Sequence, residues 1–285
     1  MSGKKDSVSP PLPWKTRLTI KLLTTVTDFA KRSDDSVNRT VLRLMNPRAK
    51  STAKPLKGVV ATDVTVDPAR DLWFRLYVPY PAQYEDGFDT LKFLDSKNCE
   101  GFPANADLSK CFLAGDSAGA NISHFVARRF AEEESEFHRV RVVGLVAIQP
   151  FFGGEERTES EIRLDGAPLV SMLLTDWHWK IFLPIGSDRD HEACNVFGPK
   201  SSEIQNVGAF PATMVVIGGF DPLQDRQRMY YEGLKSRVTS DKEVRLVEYP
   251  NAIHAFYIFP ELPEAQLFIT EMVGFIRRHS QVSQG

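Results

Sequence analysis

Five residues, Gly115-Asp116-Ser117-Ala118-Gly119, lie between an apolar run, Cys111-Phe112-Leu113-Ala114, and a helical pattern that starts at Ala120. Little else in the chain constrains its fold as tightly. A strand must stop, the backbone must reverse around Ser117, and a helix must begin at once. Gly115 and Gly119 give the turn its backbone freedom, and Ala118 adds little bulk. The turn lifts the serine hydroxyl clear of the sheet. Taken alone the pentapeptide carries little weight, because Ser117 reads equally well as a turn serine capping the helix behind it.

Two later residues give it meaning. Met214-Val215-Val216-Ile217 reads as a buried strand, and its exit loop, Gly218-Gly219-Phe220-Asp221-Pro222, presents Asp221. The next strand, Val244 to Tyr249, is closed by Pro250, and the loop beyond it carries His254. Ser117, Asp221 and His254 are separated by 104 and 33 residues, and each follows a strand. A serine alcohol is a poor nucleophile until an imidazole takes its proton, and the imidazole needs a carboxylate to fix its tautomer. Asp225 is the rival acid, although it falls in the first turn of the next predicted helix. His124 and His178 lie in helical patterns, His138 and His191 in charged segments, and His279 in the terminal tail. His254 is the best-placed base.

The stretches Leu113-Ala-Gly-Asp-Ser-Ala-Gly-Ala-Asn121, Gly219-Phe-Asp-Pro-Leu223 and His254-Ala-Phe256 resemble the plant carboxylesterases of the hormone-sensitive-lipase-like group, in the α/β-hydrolase superfamily. The gibberellin receptors are close relatives within it. The likeness extends through Leu72 to Pro79, Pro81 to Gly87, Gln149 to Gly154 and Asn195 to Pro199, and so covers nearly the whole chain. It implies an α/β fold, a mostly parallel sheet flanked by helices, with an N-terminal helical lid and a cap insertion. It further implies hydrolysis of small, fairly apolar carboxylic esters by Ser117, Asp221 and His254, without metal or cofactor. The second implied function is binding of a hormone-like small molecule. The receptors lack the catalytic histidine, whereas this chain keeps His254.

One departure stands against these matches. Members of the group carry a His-Gly-Gly-Gly type loop after the strand ending in Tyr-Val-Pro, and its N–H groups form most of the oxyanion hole. Here Val78-Pro79 runs straight into Tyr80-Pro81, and no His-Gly-Gly occurs in the chain. The absent stretch also holds a helix and two central strands. A skipped exon or gene-model error is favoured over a natural truncated paralogue. The backbone N–H of Ala118 remains as the one expected oxyanion donor. Loss of a single donor costs about 10²–10³ in turnover, so an inactive truncated product is the third expectation.

The 285 residues, 42% hydrophobic and 25% charged, suit one large domain with an extension. Cys99, Cys111 and Cys194 lack CxxC spacing and read as free thiols in a reducing compartment. No apolar run reaches the length of a membrane span. The expected location is the cytoplasm, with the nucleus as a second site. Residues 1–57 hold 13 Lys/Arg against 4 Asp/Glu, so the rest of the chain is acidic. Leu18, Leu22, Leu23, Val26, Phe29 and Ala30 fit one helical face, and a second helix is predicted over Val37 to Leu44. Residues 1–57 therefore read as a basic amphipathic arm that closes over an acidic body. Residues 58–280 form the hydrolase domain, with a cap at about 153–207, and 281–285 form a tail. Nucleic-acid binding is not expected at a pI near 6.3, and the sequence specifies no protein partner. Val59 to Val66 and Leu72 to Val78 are predicted to pair antiparallel.

Overall fold

The computed structural model describes residues 10–30, 38, 52–56, 59–61, 80–96 and 106–281. Its centre is a four-stranded parallel sheet in the order β3-β4-β5-β6, formed by Cys111–Asp116, Val142–Ile148, Ala212–Gly218 and Val244–Tyr249. Two shorter strands, β1 (Thr52–Leu56) and β2 (Val59–Ala61), make a separate antiparallel pair. Helices α1 to α7 span Trp14–Ala30, Ala82–Asp95, Ala118–Glu132, Glu159–Arg163, Met172–Phe182, Gln224–Arg237 and Pro263–Gln281.

Burial follows the sequence pattern. β5 is buried along its whole length and β4 nearly so, as continuous apolar runs covered on both faces should be. β6 is half-buried. β3 is an edge strand among the described residues, with Ala114 and Asp116 exposed. That edge is where a sheet lacking its neighbouring strands would end. Helix α2 packs beside α3. Its Tyr84 hydroxyl donates to Asn121 Oδ1 at 2.7 Å near one end. At the other, the Asp95 carboxylate accepts backbone N–H bonds from His138, Arg139 and Val140.

Several expectations are revised. Val59–Ala61 pairs antiparallel with Thr52–Leu56, and the partner expected for it at 72–78 lies outside the described residues. Pro55 made β1 hard to foresee, since proline survives only where its missing N–H is not needed by a neighbour. In α1 the face against the body holds Thr16 and Ile20, both buried, and Thr16 Oγ1 donates to Glu261 Oε1 at 2.5 Å. Leu18 and Leu22 lie on the opposite side and are exposed. Ile20 is rotated about 160° from Leu22 at 100° per residue, so Leu18 and Leu22 of the expected stripe face away from the body, while Leu23, about 60° from Ile20, is half-buried. In α7 the inward residues are Ala265, Phe268 and Phe275, while Leu267 faces solvent. Apart from Asn38, the helix predicted over Val37 to Leu44 lies outside the described residues, as does the tail expected at 281–285 apart from Gln281, which ends α7.

Residues 153–207, the stretch expected to form a cap, contain α4 and α5. A capping box starts α4: Thr158 Oγ1 accepts from Glu161 N, and Glu161 Oε2 accepts from Thr158 N at 2.8 Å. Trp179 stacks on Phe151 with centroids 4.8 Å apart and belongs to the core, with Phe182 packed against it. Among the described residues no helix is long and apolar enough to cross a membrane.

Candidate active site

Ser117 sits between β3 and α3 with φ 50° and ψ −117°, a conformation that L-residues rarely adopt. Its N–H donates to Ile148 O at 2.9 Å, and its carbonyl accepts from Phe151 N at 3.0 Å and Ala120 N at 3.1 Å. The turn is thus knotted to the end of β4. Gly115 makes it possible, because a Cβ there would lie 2.2 Å from Gly119 O. Gly119 has room: a Cβ there meets nothing nearer than Asp116 Oδ1 at 3.8 Å. The tolerance expected of both glycines resides in Gly115. The Ser117 side chain makes no capping bond to α3.

The hydroxyl points elsewhere. His254 Nε2 lies 3.0 Å from Ser117 Oγ, and His254 Nδ1 lies 2.7 Å from Asp221 Oδ2. With the proton on Nδ1 donated to the carboxylate, Nε2 is left to accept from the serine. Asp221 is fully buried and His254 nearly so, whereas Ser117 is partly exposed. Asp221 Oδ1 accepts from Leu223 N at 3.0 Å, and Oδ2 also accepts from Gln227 Nε2 at 2.8 Å. Burial disfavours the imidazolium, but the charge and hydrogen bond of Asp221, aided by the charge of Asp116, outweigh it and hold the His254 pKa above its ordinary value.

Asp225 is engaged away from this chain of groups. Its Oδ2 accepts from Ser160 N at 2.8 Å, and its own N–H donates to Ser160 Oγ at 3.3 Å, so α4 and α6 cap one another. The buried Arg226–Glu161 pair, 3.4 Å apart, reinforces that junction. His124 is fully buried in a ring of Phe125, Phe152, Phe197, Phe210 and Tyr230, with Nδ1 3.0 Å from the Tyr230 hydroxyl. Burial, helped by the charge of Arg128, lowers its pKa to about 3. Ala118 opens α3 and is exposed; the first N–H groups of a helix have no intrahelical acceptor.

Sequence reasoning gave Gln149 no role. It is buried at the end of β4 with a positive φ of 44°, and its amide reaches Asp221 and both neighbours of His254. A polar residue closing an all-apolar strand was the available signal. Cys111 and Cys194 are free thiols, and Cys99 lies outside the described residues. Among the described residues no cluster of three or more His, Cys, Asp or Glu side chains is arranged to hold a metal ion.

A parallel sheet with a serine on a strained strand-to-helix turn, and a histidine and an acid on later strand ends, defines a fold class, and the comparisons agree. A family model for the alpha/beta hydrolase fold matches residues 77–258, and the chain belongs to that family. It is 40% identical over 202 residues to the gibberellin receptor GID1C of Arabidopsis thaliana, covering 71% of this chain and 56% of the relative. It is 36% identical over 176 residues to carboxylesterase 20 of the same plant, covering 61% of this chain and 52% of the relative. The chain thus spans just over half the length of these curated relatives. Among solved structures, an esterase of Pyrobaculum calidifontis matches with a TM-score of 0.59 at 23% identity, over 71% of this chain and 62% of that one. A likeness at that identity speaks for the fold.

Proposed function

We propose that the chain is a serine carboxylic-ester hydrolase whose turnover is held low by the missing His-Gly-Gly type loop. The observation that carries this reading is the continuous path from Ser117 Oγ through His254 to Asp221, at 3.0 and 2.7 Å. Ser117 attacks the ester carbonyl as its proton passes to His254 Nε2. Asp221 holds the tautomer and stabilises the imidazolium. The Ala118 N–H receives the oxyanion, and the imidazolium then protonates the departing alcohol. Water repeats the sequence on the acyl-enzyme. The substrates are small, fairly apolar esters, and the arm of residues 1–57 serves as a lid. The lid rests on the Thr16–Glu261 bond and the burial of Ile20 beside the loop that follows His254.

The test is hydrolysis of short-chain p-nitrophenyl esters. The chain as it stands is expected to be very slow. Inserting a family-type His-Gly-Gly segment between Pro79 and Tyr80 is expected to raise the rate strongly, and Ser117→Ala in the restored protein should abolish the gain. Turnover near ~10 s⁻¹ without the insertion, a typical enzyme rate, would sink the account of the missing loop.

The second reading is a hormone-binding protein, favoured by the 40% identity to a gibberellin receptor. Calorimetric titration with a gibberellin separates the two. Saturable binding with no Ser117-dependent hydrolysis, even after the loop is restored, would favour the receptor. An inactive truncated product would do neither.

A further inference from the structure

We propose that Gln149 is a positioning residue for the Ser117–His254–Asp221 chain, a single amide that fixes the acid together with the main chain on both sides of the base. The proposal rests on the hydrolase reading above. Gln149 Nε2 donates to Asp221 Oδ2 at 3.1 Å and to Ile253 O at 3.1 Å. Gln149 Oε1 accepts from Ala255 N at 2.8 Å. Residues 253 and 255 flank the histidine, so one planar group sets where the His254 backbone sits relative to its carboxylate. Ala255 has a positive φ of 56°, and the bond to its N–H helps hold that turn.

The anchor itself is firm. Gln149 N donates to Val216 O at 2.9 Å, joining the end of β4 to the central strand β5. Gly218 leaves the amide its path: a Cβ there would lie 2.7 Å from Gln149 Nε2. Gln227 also donates to Asp221 Oδ2, at 2.8 Å, but its bond reaches only the acid. Gln149 alone among the described side chains bonds the acid and both neighbours of the base.

Two substitutions test this on the full chain. Gln149→Met keeps the length of the side chain and removes its hydrogen bonds. Gln149→Glu keeps the acceptor for Ala255 and puts a titratable oxygen where the amide donates. Two readouts are used: the reaction of Ser117 with a fluorophosphonate, in which Oγ displaces fluoride at phosphorus as its proton goes to His254, and the low-field Nδ1–H resonance of His254. Circular dichroism reports whether each variant is folded. Q149M is expected to react about 10²-fold slower, the scale of a misplaced catalytic group, and to lose the sharp Nδ1–H signal. Q149E is expected to react near the wild-type rate while its new carboxyl is protonated and donating. Its rate then falls as that group ionises against Asp221, giving a bell where the wild type has a plateau. Asp116, whose carboxylate accepts from the Tyr257 hydroxyl, is the other charge acting on His254. Wild-type rates and a wild-type pH profile in both variants would overturn the proposal. If the wild-type chain does not react at all, the hydrolase reading falls, and the resonance still decides: an unchanged His254 signal in Q149M overturns positioning, and its loss supports it. If Q149M does not fold, Q149E carries the test through its pH profile and its resonance.

Discussion

The Tyr257 hydroxyl donates to Asp116 Oδ2 at 2.5 Å, so the segment after His254 is tied to the residue before Ser117. This strut joins the two strand ends that carry Ser117 and His254. Tyr257→Phe removes the donor at a part-exposed site. The expected loss of stability is at most ~1 kcal/mol, read from denaturant unfolding. The fluorophosphonate reaction should slow by less than about tenfold, within what ~1 kcal/mol allows, because the His254–Asp221 bond is untouched. A collapse of reactivity as large as that of Ser117→Ala would show that the strut, not the imidazole's own bonds, sets the geometry.

Gly115 and Gly119 look alike in sequence and should behave oppositely. At Gly115 an added Cβ meets backbone at 2.2 Å, and backbone cannot swing aside. Gly115→Ala is expected to cost about 3 kcal/mol, the upper end of overpacking. Gly119→Ala has space and sits in the first turn of α3, so it should be neutral or stabilise by up to ~1 kcal/mol. Thermal melting of both variants checks the contrast, and equal effects would refute it.

The raised pKa of His254 fixes the direction of the pH dependence. With the neutral imidazole acting as base, as proposed, the Ser117–fluorophosphonate rate should climb with pH through an inflection above 6.5, the ordinary value. Stability runs the other way for this group. Its contribution is complete below pH 6.5 and is lost as pH rises through the folded pKa. An inflection below 6.5 would mean that burial, not Asp221, dominates.

His124 acts with the opposite sign. With a folded pKa of about 3, it is buried neutral, and the unfolded chain takes up the proton first as the solution is acidified. Its contribution is present above pH 6.5 and is lost at about 1 kcal/mol per pH unit on the way down to its folded value. Substituting His124→Leu together with Tyr230→Phe removes both polar partners. The double variant should show a shallower fall of melting temperature between pH 6.5 and 4.5 than the wild type. Parallel curves would assign the acid sensitivity to the carboxylates instead.

Elements whose pattern is set by their own burial were legible in the sequence. Val142 to Ile148 is found as expected, because a continuous apolar run has one stable place in a parallel sheet, and Val244 to Tyr249, with Arg245 and Glu248 among its apolar residues, is found as the half-buried strand beside β5. The three residues Ser117, Asp221 and His254 were readable for a related reason, each being fixed to a strand end. What escaped was decided by a partner. Thr16 and Ile20 face the body because Glu261 and the core offer them contacts, and α1 carries no trace of that in its own periodicity. Gln149 was quoted only as part of a motif, since its meaning depends on Ile253 and Ala255, more than a hundred residues away.

The position of β3 at the rim of the described sheet has a consequence for how the molecule moves. A strand gripped from both sides exchanges its amide protons only when the whole sheet opens, whereas a strand gripped from one side can peel. Among the described strands β3, which leads into Ser117, has one neighbour, while the buried β5, which leads to Asp221, has two. Deuterium should enter Phe112 to Gly115 well before it enters Thr213 to Ile217. If exchange follows that order, Ser117 breathes against a fixed Asp221, and its reactivity scales with the fraction of time the two are in register.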